Sequence, residues 1–356
     1  MPIASASSAE APRARWRPCS SIGDGGEAVV ELAVSLPVNG MPLTETVPFV
    51  RSCAERGYTA AWASEVAGPD FATLLGQVAG QVDVDLGVAV APMQTRAPWL
   101  LAATASSLSH LSGGRFSLGV GTSSEVIVEQ WSGLPFDHPL ARLRETVEVL
   151  RQLLSGERVS HDGEYLRIQR YRLFAPPPAP VPIFVGALNP ASLRQAGELG
   201  DGVCLNQCGV AHLEDILSEV ATGAEKAGRD PAGLSVMARL FCWVTDDVPA
   251  ARNEVRRSFA PYAATRVYNR FFRWLGFTDE MDALLAALSQ GDRAGAAGAL
   301  SDEFIDTLYA VGDADHVAGR VQAYVDAGIT IPAIACIGTG RAESERTLHT
   351  IAAALT

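Results

Sequence analysis

The chain has 356 residues, which fits two or three ordinary domains or one large barrel. Apolar residues make up 48% of it and charged residues 19%, so the composition excludes a disordered or fibrous protein. The net charge is −12 and Lys226 is the only lysine, so no lysine-rich patch exists to bind nucleic acid or an anionic membrane. The longest apolar runs are far shorter than the ~20 residues that span a bilayer. Nucleic acid and anionic membranes are therefore poor partners for this chain.

The N-terminal residues 1–28 lack the apolar core of a secretory signal, and we interpret them as a disordered tail. The six cysteines are dispersed, and none has the CxxC spacing of a zinc site. We therefore expect buried, reduced thiols, a cytoplasmic location and no protein-bound metal. For the nearest pair, Cys204 and Cys208, burial in the core is favoured over a redox function.

Short apolar runs alternate with segments of helical period, a pattern typical of parallel βα units. In chain order, eight strands are predicted over residues 29–34, 59–64, 84–90, 116–120, 181–185, 202–205, 234–244 and 330–337. Helices are predicted between them, among them residues 98–111, 314–327 and a helix that begins at Pro190. Eight such units predict an α/β fold, a (β/α)8 or TIM barrel, as a single domain over residues 29–356.

Two insertions interrupt this alternation, after the fourth and the seventh strand. In the first, Asp162-Gly163 lies between two extended runs and predicts a β-hairpin. In the second, residues 258–310 are predicted as a helical insertion over the pocket, with seven aromatic residues within 19 positions. These aromatic residues indicate either a helical subdomain or dimer contact with its own core, or a wall or lid over a substrate pocket.

Familiar catalytic motifs such as HExxH, GxSxG and the P-loop do not occur in the sequence. Gly119-Val120-Gly121, followed by Thr122-Ser123-Ser124, comes directly after the fourth predicted strand. It indicates either a tight βα turn or a place where a flat ligand approaches the backbone.

Six longer motifs follow one another along the chain: WASEVAGPD at residues 62–70, LGVAVAP at 86–92, LSGGRFSLGVGTSS at 111–124, IVEQWSGLPFDHPLARLRETVEVLR at 127–151, VPIFVGALNPASLRQAGELGDGVCLN at 181–206 and VGDADHVAGRVQAYVDAGI at 311–329. Together they resemble the bacterial luciferase-like family of flavin and deazaflavin oxidoreductases. The resemblance covers about residues 29–340 and is greatest to members that use the deazaflavin coenzyme F420. Because relatives commonly pair, it also implies a homodimer.

The resemblance implies cofactor-binding roles for eight positions. Glu65 corresponds to an acid that meets the cofactor ring, with a helix-capping or surface carboxylate as the alternative. Ala89 and Val90 correspond to a bulge with a cis peptide bond behind the ring, although Val88-Ala89 is possible if the alignment shifts by one residue. The remaining positions correspond to the loop after the fourth strand, the phosphate-binding turn before the helix at Pro190 and a pocket-lining position in the sixth strand: Thr122, Ser124, Leu188, Asn189 and Cys204.

The sequence departs from the sugar-phosphate dehydrogenase branch of this family, in which a histidine and a glutamate occupy the positions of Val66 and Ser124. It also has Trp131-Ser132-Gly133 where many relatives have a histidine after the tryptophan. The catalytic acid is therefore unassigned, with Glu125 and Tyr268 as candidates. The resemblance implies an oxidoreductase that transfers hydride between F420 and a small organic substrate. The alternatives are an FMN-dependent monooxygenase and a flavin-binding protein without turnover.

Overall fold

The computed structural model describes residues 31–338 and 340–355. These residues contain eleven strands: β1 (Ala33–Leu36), β2 (Ala60–Ala63), β3 (Asp85–Pro92), β4 (Phe116–Gly121), β5 (Val159–Asp162), β6 (Arg167–Tyr171), β7 (Ile183–Gly186), β8 (Gly202–Asn206), β9 (Ser235–Val244), β10 (Tyr309–Gly312) and β11 (Ile331–Cys336). The predicted tail over residues 1–28 and the predicted strand start at Val29 lie outside the described residues.

Thirteen α-helices lie in the same described ranges: α1 (Thr46–Ala54), α2 (Phe71–Val78), α3 (Pro98–Leu111), α4 (Pro139–Leu154), α5 (Pro190–Leu199), α6 (Leu213–Lys226), α7 (Val248–Ala263), α8 (Arg266–Trp274), α9 (Thr278–Ser289), α10 (Arg293–Gly298), α11 (Asp302–Leu308), α12 (Ala314–Asp326) and α13 (Arg341–Leu355). The helix predicted over residues 98–111 has the observed bounds.

Eight parallel strands close into a barrel in the order β1, β2, β3, β4, β7, β8, β9, β11 and back to β1. The predicted TIM barrel is therefore confirmed. Its strands are buried on both faces, which explains their continuous apolar sequence. Alternate side chains fill the interior, where the rings of Trp62 and Phe184 meet edge to face with centroids 5.1 Å apart. The opposite side chains form the larger core between the strands and the helices.

The first insertion is an antiparallel hairpin of β5 and β6, as the Asp162-Gly163 signal predicts. Its connection, residues 163–166, is four residues long rather than two, and within it Gly163 donates its N–H to the carbonyl of Leu166. The buried carboxylate of Glu145 on α4 holds this connection: it accepts the N–H groups of Tyr165 and Leu166 and contacts His161 Nε2 at 2.7 Å.

The second insertion comprises α7 to α11 and ends in β10. β9 is long enough to have two partners in succession on one edge, since Ser235–Arg239 pair with β8 and residues 241–244 pair with β10. The aromatic residues of the insertion pack mainly on one another, for example Phe272 on Phe304 with centroids 5.0 Å apart. The domain boundaries remain a prediction. In the described part of the chain, no helix has the length and apolarity needed to cross a membrane.

Candidate active site

A cavity of about 180 Å³ opens where the barrel strands end, at the carboxyl ends of β2, β3, β4, β7 and β8. All eight positions that the sequence analysis assigns to cofactor binding line it: Glu65, Ala89, Val90, Thr122, Ser124, Leu188, Asn189 and Cys204. A second cavity of about 270 Å³ lies next to it and shares Thr122, Ser124 and Asn189. The barrel thus brings residues from five βα units into one place, as expected for the functional end of this fold.

The inner wall of the cavity is formed by an irregularity in β3. The peptide bond between Ala89 and Val90 is cis, which confirms the expectation for this bond rather than for Val88-Ala89. The pairing of β3 with β4 shifts register between Val88 and Ala91. Val90 is accommodated by two glycines: a Cβ on Gly121 would lie 2.6 Å from Val90 Cγ2, and one on Gly186 would lie 3.0 Å from Val90 Cγ1. The small residues therefore shape a smooth wall.

Glu65 follows β2 at the rim, but its carboxylate is not free. Arg96, in the loop after β3, donates to both of its oxygens, with Nε at 3.0 and 3.2 Å. Arg96 also binds Asp70, the N-cap of α2, and lies over the ring of Phe71. The hydrogen bonds that Arg96 donates to Glu65 raise the pKa of Arg96 despite its partial burial. Sequence reasoning did not find Arg96, because 31 positions separate it from its partner.

The loop after β4 separates the two cavities. Ser123 has a φ of 61°, an uncommon conformation for a residue other than glycine, and its buried Oγ has no hydrogen-bond partner among the described residues. Glu125 lines only the second cavity. Its Oε1 lies 2.9 Å from Nη1 of Arg266, in an ion pair that is largely exposed. This location makes Glu125 the poorer of the two candidates for a catalytic acid.

The turn before α5 has its own internal hydrogen bonds. Ser192 Oγ accepts the N–H of Leu188 at 3.2 Å and that of Asn189 at 3.1 Å, and donates to the carbonyl of Asn189. The two N–H groups that the sequence analysis assigns to a phosphate are therefore occupied. A phosphate on this turn requires Ser192 to rotate away or binds other atoms of the turn.

Tyr268, the second candidate acid, lies over the inner cavity on α8. Its buried hydroxyl oxygen accepts Nδ2 of Asn206 at 2.8 Å and the hydroxyl of Tyr262 at 3.0 Å. Burial, with Tyr262 beside it, raises the pKa of Tyr268 well above its ordinary value of 10. The phenol therefore keeps its proton at neutral pH, and because its oxygen already accepts two hydrogen bonds, that proton is available for a third partner.

Two further groups line the floor. Cys204 is a buried thiol whose pKa is raised by burial, so it contributes shape rather than a thiolate. Cys208 belongs to the outer core, whereas Cys204 faces the barrel interior, so the two are not placed as a redox pair.

Arg239 on β9 also lines the floor, and it is the second residue that sequence reasoning missed. The sequence feature that could have pointed to Arg239 is its single charge within the otherwise apolar run of β9.

The residues present fit a flat heterocycle with polar edges. The wall beside Val90 is smooth and apolar, and three buried polar atoms, Ser123 Oγ, Asn189 Oδ1 and Asn206 Oδ1, have no partner among the described residues. Buried polar groups are normally satisfied, so unpartnered ones inside a cavity indicate where a ligand supplies hydrogen bonds.

Comparison with known proteins agrees with this geometry. The chain is 32% identical over 251 residues to a 5,10-methylenetetrahydromethanopterin reductase of Archaeoglobus fulgidus, covering 69% of this chain and 75% of that one. It is 30% identical over 317 residues to an F420-dependent glucose-6-phosphate dehydrogenase of Rhodococcus erythropolis, covering 86% of each. Its fold matches the F420-dependent tetrahydromethanopterin reductase of Methanopyrus kandleri with a TM-score of 0.77 at 22% identity, covering 91% of this chain and 98% of that one.

The family model for luciferase-like monooxygenases matches residues 25–330, which is most of the chain and includes every element that builds the cavity. The chain therefore belongs to the luciferase-like monooxygenase family.

Proposed function

We propose that this protein is an F420-dependent oxidoreductase that transfers hydride between the deazaflavin and a small organic substrate. The observation that carries the proposal is the single cavity in which all eight expected cofactor positions meet. The similarity to an F420-dependent glucose-6-phosphate dehydrogenase over 86% of the chain supports the choice of cofactor. When bound, F420 supplies the hydride chemistry, and the protein supplies orientation, exclusion of water and charge.

The chain's own residues divide this work. The β3 irregularity at Ala89 and Val90 and the loop at Thr122 and Ser124 line the cavity, where the first would back one face of the ring and the second would hold its edge. The insertion covers the cavity through Tyr262, Thr265 and Tyr268, which limits the access of water. Tyr268 holds a proton at its hydroxyl oxygen and can donate a hydrogen bond to a substrate oxygen.

An FMN-dependent monooxygenase is the second candidate, since the matching family model describes monooxygenases. Titration of the purified protein with F420 and, separately, with FMN distinguishes the two by the change in cofactor absorbance. We expect F420 to bind at least tenfold more tightly. Tighter binding of FMN would support the monooxygenase, and binding of neither would reject both. A protein that binds F420 but oxidises no member of a panel of alcohols and acids would support the binding protein without turnover.

We also propose that the protein is a homodimer. Exposed apolar side chains cluster along α3 and the segment beside it. There the ring centroids of Trp99 and Tyr171 lie 6.1 Å apart, and Phe174 is entirely exposed. Patches of this kind commonly mark contacts between proteins. Sedimentation equilibrium should give twice the monomer mass, and Phe174→Asp should lower it. A wild-type monomer would refute the dimer.

A cytoplasmic location is the last part of the proposal. The five cysteines of the described ranges are free and buried, which suits a reducing compartment. Fractionation of the producing cells should recover the protein with cytoplasmic markers.

A further inference from the structure

The floor of the inner cavity holds an arginine. Along β9, alternate side chains face the barrel interior, and Met237 belongs to the inner cluster beside Trp62. Arg239, two residues further on, lies one layer above Met237 and lines the cavity. Its guanidinium therefore lies at the bottom of the site and not at its rim.

This guanidinium has few partners. Among the described residues, its one hydrogen bond runs from Nε to Ser35 Oγ at 3.1 Å, and its central carbon lies 4.9 Å from the centroid of Phe241. No carboxylate in the described ranges forms an ion pair with it, whereas Arg96 and Arg144 each bind a carboxylate. Since a guanidinium carries five N–H donors, most of those on Arg239 are available to a ligand.

The groups around Arg239 do not neutralise it. Its polar neighbours include Tyr268 and Tyr309, and burial raises the pKa of both phenols, so they stay uncharged at neutral pH. Burial lowers the pKa of Arg239 itself, but a guanidinium with an ordinary value of 12.5 remains protonated under these conditions. An unpaired positive charge away from water is unfavourable, and an anionic ligand removes that cost.

Strand order places Arg239 across the barrel from the wall that backs the ring. β9 lies four strands from β3 in either direction around the eight-stranded barrel, so the two strands are diametrically opposed. A ring stacked against Val90 would turn its open face towards β9. The space between that face and Arg239 is then where a substrate lies.

We propose that Arg239 binds a carboxylate group of the substrate, which assigns the substrate to the small organic acids. The planar guanidinium can bind both oxygens of a carboxylate, an arrangement that neutral substrates cannot match. The inference rests on the proposed function, because it treats the acid as the molecule that exchanges hydride. The ionised edge of a deazaflavin carries a similar delocalised charge, and the experiment below separates the two sources.

Benzoate and its uncharged analogue benzamide are suitable probes, titrated calorimetrically into the protein with and without saturating F420. We expect the wild type to bind benzoate at least tenfold more tightly than benzamide, the range expected for a charge-assisted hydrogen-bonded pair. Arg239→Gln should abolish this preference, and Arg239→Lys should keep part of it. Arg257→Gln makes the same change on an exposed face of α7, outside both cavities, and should leave the preference unchanged.

Equal binding of the two probes by the wild type would overturn the proposal even if Arg239→Gln does not fold. A benzoate preference that persists in a folded Arg239→Gln variant would also overturn it. If that variant loses F420 affinity and keeps the benzoate preference, the guanidinium serves the cofactor instead. Failure of the proposed function is a separate observation, since it appears as wild-type protein that does not bind F420 in the absorbance titration.

Discussion

Glu65 contributes both to the fold and to the cavity. Its carboxylate joins the end of β2 to the loop after β3 through Arg96, and its remaining acceptor capacity faces the cavity. A carboxylate has about four acceptor sites, so the contacts with Arg96 leave room for a ligand. The same side chain can therefore hold the rim and contact a cofactor.

Glu65→Gln should weaken the binding of F420 more than it weakens the fold. We expect about a tenfold loss of affinity and a fall of about 1 kcal/mol in the free energy of unfolding, because glutamine still accepts one bond from Arg96. Absorbance titration and urea unfolding measure the two quantities. Glu198→Gln is the matched control, since Glu198 forms a two-pronged pair with Arg144 outside the inner cavity and should not change F420 affinity. Unchanged affinity in Glu65→Gln would assign the carboxylate to the fold alone.

Tyr268 and Tyr262 share a hydrogen bond but should differ in their effect on stability. Tyr268→Phe leaves the buried Asn206 amide without an acceptor, at a cost of about 1–3 kcal/mol, because an unsatisfied buried donor loses its hydration. Tyr262→Phe removes a single donor from a less buried position and should cost less than about 1 kcal/mol. Urea unfolding of both variants gives the comparison, and a larger loss for Tyr262→Phe would contradict this account of the network.

Sequence reasoning found positions that line the cavity, whose cofactor-binding roles stay predictions, and missed side chains whose surroundings depend on distant partners. The turn at Leu188 and Asn189 adjoins a helix start, which a local pattern predicts. Arg96 and Arg239 acquire their surroundings only when strands far apart in sequence become neighbours. The run of β9 did contain a signal for Arg239, because a charge rarely occurs in a strand buried on both faces.

At the level of elements, the irregular end of β3 depends on the strands beside it. Val90 occupies space that exists because β4 and β7 each contribute a glycine there. Alanine at Gly121 would place its Cβ against Val90, so Gly121→Ala should displace Val90 and reduce F420 affinity at least tenfold. The barrel should retain its circular dichroism spectrum. The measurement is the absorbance titration described above.

Two further variants make this test specific. Adding Gly121→Ala to Val90→Ala should cost much less affinity than adding it to the wild type, since the obstructing methyl group is gone, and such non-additivity is the signature of direct contact. Gly76→Ala, in α2 with no atom near its added Cβ, should be neutral or slightly stabilising. Additive losses from Gly121→Ala and Val90→Ala would refute the contact as the cause.

Regular elements were predictable because their periodicity is local, and their irregular parts were not. The strand predicted over residues 234–244 differs from β9 by one residue, and the helix at Pro190 begins where proline favours a first turn. β10 was missed because four residues give too short a pattern to distinguish from the helices around them. The four-residue connection of the hairpin depends on Glu145, which lies on another element.

The closed barrel follows from eight repeats of one βα unit, and these eight units can be counted in the sequence. Two carboxyl groups at the base of the barrel make the stability of the fold depend on pH, which the hydrophobic pattern of the sequence does not reveal. Glu31 lies beside Asp85 at the start of the strands, and burial together with this second carboxyl raises the pKa of Glu31 from 4.5 to about 8.

The folded protein should therefore become less stable as the pH rises from about 5 to 8. In this window folded Glu31 keeps its proton while unfolded Glu31 loses it, so its stabilising contribution is complete below pH 4.5 and declines above it. We expect wild type to lose about 3 kcal/mol relative to Glu31→Gln between pH 5.5 and 8.5, measured by urea unfolding. Glu55→Gln, on an exposed position after α1, should follow the wild type. Parallel curves for wild type and Glu31→Gln would refute the shift.

Because β8 and β10 share one edge of β9, the second insertion can change without the barrel. The chain leaves the barrel at the end of β9 and returns through β10, which is hydrogen-bonded to that same strand end, with Thr245 N–H donating to the Gly312 carbonyl at 2.8 Å. The whole excursion from α7 to α11 thus starts and finishes at one point on the wall, so its exchange leaves the closure of the eight strands untouched. The insertion can therefore be exchanged as a unit. Replacing the residues between positions 245 and 309 with those of another chain would change the cover of the cavity, and with it the choice of substrate, while the hydride-transfer barrel stays the same.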